Sequence, residues 1–92
     1  MSSISSFRVA DAMRPRVAWA IRYAARRRLA APVRGSLDGL TRAQAERLLR
    51  ALDAACDTAP ASVLPFTDFA VLDELGADLA DWLRLPEQSP AA

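Results

Sequence analysis

An all-α fold, a small domain of three helices, is what this sequence predicts, and three observations predict it. Apolar residues recur at three- and four-residue spacing in well-separated stretches, hydroxyl and proline punctuation opens and closes those stretches, and no strand pair is signalled. At 92 residues the chain has room for one domain, spanning 1–92, near the lower end of the sizes at which a single core suffices.

The first helix is expected over 12–31, with Pro15 tolerated in its first turn and Pro32 closing it. A short extra helical turn carrying Phe7, Val9 and Met13 fits ahead of Pro15, and residues 1–6 read as disordered. The second helix has the strongest start signal, because Thr41 and Gln44 match a capping box in which a hydroxyl and an amide each satisfy an orphan backbone N–H. It is expected over 42–56. Ala45, Leu48, Leu49, Leu52, Ala55 and Cys56 fall on one arc, and Arg42, Glu46, Arg50 and Asp53 fall opposite, with Glu46 and Arg50 spaced as a favourable charge pair. Pro60 and Pro65 bracket a connector too short for a strand.

Thr67 then caps a third helix over 68–85, with Phe66 and Val71 as a hydrophobic staple, Asp68 at the positive end of the helix dipole and Pro86 as the stop. Leu72, Leu75, Leu79, Trp82 and Leu83 make its apolar stripe. Gly76 borders that stripe, which suggests a close helix crossing. Residues 87–92 read as a disordered tail. Leu48, Leu49, Leu52, Leu72, Leu75 and Leu79 are the expected leucine core.

Charge divides the chain at its midpoint. Residues 1–50 hold 11 of the 12 arginines and three acids, a net of about +8, whereas residues 51–92 hold eight acids and one arginine, a net of about −7. The halves either clamp onto each other or offer two faces to partners of opposite sign.

The basic half concentrates on the first helix. Val17, Ala20, Ile21 and Ala24 define a modest core face, while Trp19, Arg22, Tyr23 and Arg26 gather on another side, flanked by Arg16 and Arg27. Arginine planes interleaved with aromatic rings can dock on an acidic protein surface, grip phosphates while stacking on bases, or rest at an anionic membrane surface. Alternatively Trp19 and Tyr23 are core, with arginines snorkelling around them. On the third helix Glu74, Asp78 and Asp81 line one side. A straight stripe does not supply the closed shell of six or more oxygens that hard cations want, so no metal is expected and the row reads as a solvated face, an arginine-binding surface or the mate of the first helix.

Catalysis lacks its usual parts. With no histidine and no lysine there is no neutral-pH base, no imidazole ligand and no Schiff-base amine. Cys56 lies on an apolar arc, where a free thiol behaves as a small hydrophobe, and the three glycines form no phosphate-binding loop. No enzyme, cofactor or catalytic residue is therefore expected.

A helix-turn-helix would need a short turn, whereas the connectors expected at 32–40 and 57–67 are long and contain proline. In charge order alone the chain resembles small bacterial antitoxins, which bind DNA with one half and a toxin with the other, although no antitoxin motif is present. The alanine- and arginine-rich, lysine-free composition fits GC-rich codons of a bacterium or phage, and a single cysteine fits a reducing cytoplasm. The expectation is a non-enzymatic protein-binding adaptor or inhibitor using the Arg/aromatic helix, the acidic helix, or both. A nucleic-acid-binding regulator and a subunit of a larger assembly are the alternatives, and homodimerisation would supplement a small core.

Overall fold

The computed structural model describes residues 7–85. A 3-10 turn at Asp11–Met13 leads into α1 (Arg14–Arg26), followed by α2 (Arg42–Thr58) and α3 (Phe66–Arg84). The all-α expectation holds for these residues. The expectations for residues 1–6 and 87–92 lie outside them.

The capping box forms as its residue types dictate. Thr41 is extended (φ −71°, ψ 171°), its hydroxyl accepts from the Gln44 backbone N–H at 3.2 Å, and Gln44 Oε1 accepts from the Thr41 N–H at 2.9 Å. Gln44 also donates through Nε2 to the Arg34 carbonyl at 2.7 Å, which ties the preceding connector to the helix start. Gly35 makes room for that amide at φ +94°, where a Cβ would come within 2.6 Å of Nε2.

From this start α2 buries Ala45, Leu48, Ala51, Leu52 and Ala55. Two neighbours cover that arc: α1 with Val17, Ala20, Tyr23 and Ala24, and α3 with Leu72, Leu75, Gly76 and Leu79. α1 and α3 barely meet each other. The molecule is thus a row of helices with α2 in the middle. Of the six expected core leucines, five are buried and Leu49 is half-buried at the margin.

Several boundaries differ from expectation, each for a local reason. α1 stops at Arg26 rather than near 31, because Arg28 turns left-handed (φ 58°) and the chain closes a Schellman motif. The Leu29 N–H bonds to the Ala24 carbonyl at 2.9 Å, and the Arg28 N–H bonds to the Ala25 carbonyl at 3.1 Å. α3 begins two residues early. Pro65, extended at φ −60° and ψ 156°, takes the cap position with no side-chain bond, so Thr67 is not the cap and Phe66 stands in the first turn, 79% exposed rather than stapled to Val71. The Asp68 expectation holds, since it lies in the first turn. Glu46 and Arg50 form no ion pair, both side chains being free to extend into solvent.

The extra N-terminal turn exists only as Asp11–Met13; residues 7–10 ahead of it lie outside any helix. Phe7 makes an antiparallel bridge with Leu40, each N–H bonding the other's carbonyl at 2.9 Å, and the Val9 N–H bonds to Leu37 O at the same distance. This pairing sinks Val9 and Leu40 fully into the core. Arg14 secures the same corner by binding the Asp38 carboxylate and the Val9 carbonyl, and its guanidinium holds the Asp38 carboxyl below the usual carboxylate range.

At the opposite chain end, Arg42 donates to the carbonyls of Leu83 and Leu85, neutralising the negative end of α3, and its guanidinium lies 5.7 Å from the Trp82 ring centroid. Trp82 in turn meets the Phe7 ring edge-on at 5.6 Å.

Gly76 is not a steric requirement. A Cβ there would sit 3.7 Å from Leu49 Cδ1 and 3.9 Å from Asp53 Oδ1, ordinary contact distances. Gly76→Ala should accordingly stabilise the protein by about 0.5–1 kcal/mol through helix propensity. Leu52→Ala, at a position 1% exposed, should cost about 2–5 kcal/mol. Urea denaturation checks both signs, and a destabilising Gly76→Ala would show that the crossing is tighter than described.

Candidate functional site

The side of α1 turned away from α2 carries most of the residues expected to bind a partner. Trp19 and Tyr23, one turn apart, bring their rings to 5.0 Å at an interplanar angle of 31°. Tyr23 departs from the surface expectation. It sits on the flank of the core arc, so its long ring reaches over Ala24 toward α2 and is 9% exposed. Its hydroxyl lies 3.4 Å from Thr58 Oγ1. Thr58 commits its own proton to the Ala54 carbonyl at 2.6 Å, which leaves the tyrosine as donor between the two hydroxyls. Trp19 is half-buried, its body packed on the core and its edge in solvent.

Around this aromatic pair the arginines divide. Arg27 stacks its guanidinium 4.6 Å from the Tyr23 centroid, and Arg22 and Arg26 are exposed with no carboxylate partner among the described residues. Trp19, Arg22, Tyr23, Arg26 and Arg27 together line an open groove of about 490 Å³.

Arg16 behaves differently from its neighbours. Its Nε donates to Asp68 Oδ1 of α3 at 2.7 Å, both side chains being partly exposed, so the pair contributes at most about 1 kcal/mol. Among the described residues this is the one ion pair that joins α1 to α3.

The groove does not end at Trp19. That ring also borders a cleft of about 220 Å³ with Arg16, Val63, Leu64, Asp68 and Leu72. Leu64 in turn borders an apolar hollow of about 270 Å³ with Cys56, Phe66 and Phe69. Val63 in the middle cleft is 45% exposed, and Phe66 in the hollow beyond it more so. A band of adjoining hollows results, basic and aromatic at one end and mainly apolar at the other. Sequence reasoning missed the apolar end because it assigned Phe66 to a staple. The available signal was Pro65, an extended residue fit to start a helix, which moves Phe66 into an outward-facing first turn.

The acidic residues expected as a second face are on α3, on the side away from α2. Glu74, Asp78 and Asp81 are all exposed. Asp81 pairs with Arg84 of its own helix at 3.1 Å, and Glu74 and Asp78 make no ion pair among the described residues. The row is not brought to the basic groove. Among the described residues the charged groups of α1 and α3 thus meet in one ion pair only, Arg16–Asp68.

A separate acidic group surrounds Cys56, which is half-buried rather than buried. Burial first, and then the carboxylates of Asp73, Asp53 and Asp57, push the thiol pKa up, so Cys56 stays protonated and a poor nucleophile. Burial, then Asp57 and Asp73, likewise raise the Asp53 carboxyl above its ordinary value. No cluster of three or more histidine, cysteine, aspartate or glutamate residues among the described residues could hold a metal ion, and none of the described helices is long and apolar enough to cross a membrane.

No protein-family model, curated protein or solved structure matches this chain.

The raised Asp53 value sets a sign for pH dependence. A carboxyl whose pKa is higher in the fold than in the unfolded chain stabilises the fold below its unfolded pKa, and that contribution is lost as pH rises through the folded value. Asp53→Asn should therefore raise the melting temperature at pH 7 and change it less at pH 3. Equal shifts at both pH values would show that the charge of Asp53 is not strained by its neighbours.

Proposed function

We propose that this chain is a small non-enzymatic adaptor or inhibitor of a bacterial or phage cytoplasm that binds another protein through the band centred on Trp19. The observation that supports it is the combination of exposed cations and exposed apolar anchors along adjoining hollows: Arg22 and Arg26, without a carboxylate partner among the described residues, beside Trp19, then Val63 in the middle cleft and Phe66 at the far end. Buried aromatic and arginine anchors dominate the energetics of protein interfaces, and a basic rim steers an acidic partner to them. The acidic row of α3 offers a second, separate surface. No cofactor enters this function, and nothing in it calls for a membrane.

Nucleic acid is the competing partner, since Arg22 and Arg26 can reach phosphates and Trp19 can stack on a base. The apolar end favours protein, because Val63, Phe66 and Phe69 offer a phosphate backbone nothing.

Affinity capture of tagged protein from its native host, with and without nuclease, tests this. The captured partner should survive nuclease and be lost with Arg22→Ala/Arg26→Ala, while the melting temperature stays within about 1–2 °C, because exposed charges contribute little to folding. Capture abolished by nuclease would assign the band to nucleic acid, and capture indifferent to the double variant would remove α1 from the binding surface.

A further inference from the structure

We infer that the basic groove of α1 also receives the acidic row of α3 from a second copy of this chain, so that the protein self-associates head to tail. The inference rests on the reading of α1 as a protein-binding surface and names one occupant for it.

Three observations carry it. Arg22 and Arg26 stand one helical turn apart and unpaired, and Glu74 and Asp78 stand one turn apart and unpaired, among the described residues. An antiparallel approach of α3 from a second copy sets Asp78 opposite Arg22 and Glu74 opposite Arg26, one carboxylate per guanidinium. The exposed Ala77 beside the row leaves α3 without bulk that would hold the helices apart. The fold also forbids the same pairing within one molecule, because α1 and α3 lie on either flank of α2 with their charged sides turned outward. Two complementary faces that cannot meet in one copy can meet between two. Since the two faces differ, the contact is heterologous and each copy keeps one face free for the next.

Sedimentation equilibrium of the full chain at two ionic strengths tests the inference. At about 20 mM salt the average mass should climb with concentration beyond the 10.0 kDa of one copy, and at about 1 M salt, where the screening length falls to about 3 Å, it should return to one copy. Arg22→Glu/Arg26→Glu and Glu74→Arg/Asp78→Arg should each remain single copies at low salt, and mixing the two should restore association, because the unaltered α3 of one meets the unaltered α1 of the other. Circular dichroism confirms that both variants are folded, and Arg22→Gln/Arg26→Gln, which removes charge without reversing it, should weaken association about tenfold or more. A wild-type chain that stays at one copy at low salt, association unaffected by salt, or charge-reversed variants that fail to combine would each overturn the inference. A wild-type chain that captures a host partner yet never self-associates would overturn this inference while leaving the proposed function standing.

Discussion

The middle position of α2 is the constraint on which the rest of the structure depends. Its arc of Ala45, Leu48, Ala51, Leu52 and Ala55 receives both other helices, each of which meets α2 far more than it meets the other. α1 and α3 must each lie on it, and each can bury only the side that faces it. Arg22 and Arg26 of α1 and Glu74 and Asp78 of α3 are consequently left on separate exposed faces, and among the described residues Arg16 and Asp68 alone join the two helices by an ion pair. The charge separation written along the chain becomes a separation in space, bridged between α1 and α3 at Arg16 and Asp68.

Much of the architecture was legible in the sequence because its signals were local. The capping box at Thr41 and Gln44 needs only four residues to state itself, and the leucine spacing of α2 and α3 needs only a few turns, so Leu48, Leu52, Leu72, Leu75 and Leu79 were identifiable as core. What escaped was non-local or hinged on backbone conformation. Val9 and Leu40 are as deeply buried as any leucine, but they reach the core by an isolated bridge between segments far apart in sequence, for which no period of two is long enough to read. The end of α1 escaped because a left-handed arginine, Arg28, takes the place normally held by glycine.

The candidate site was legible by residue and not by depth. The spacing of Trp19, Arg22, Tyr23 and Arg26 put them on neighbouring positions, and they do line one groove. Spacing alone could not say that Tyr23 turns its ring inward while Trp19 stays half in solvent, since that depends on how closely α2 approaches and on the Thr58 hydroxyl waiting there. Arg16 belongs with the others by sequence and with Asp68 by structure. The apolar extension through Leu64 to Phe66 draws on a connector whose shape is set by the 3-10-like turn from Pro60, whose carbonyl accepts from both Val63 and Leu64 at 2.9 Å.

The cluster of Phe7, Trp82 and Arg42 has a consequence for the life of the chain before it is a finished protein. These residues come from the beginning, the end and the middle of the described segment, yet their rings and guanidinium stack in one place. During synthesis, Phe7 and its bridge partner Leu40 emerge from the ribosome long before Trp82 does. The pairing of the segment before α1 with the first connector is left without its aromatic cover until the last turn of α3 is free. Closing so long a loop is entropically slow compared with forming any of the helices. The nascent chain must therefore carry an exposed phenylalanine and a half-made core until Trp82 has been made and is free to reach them.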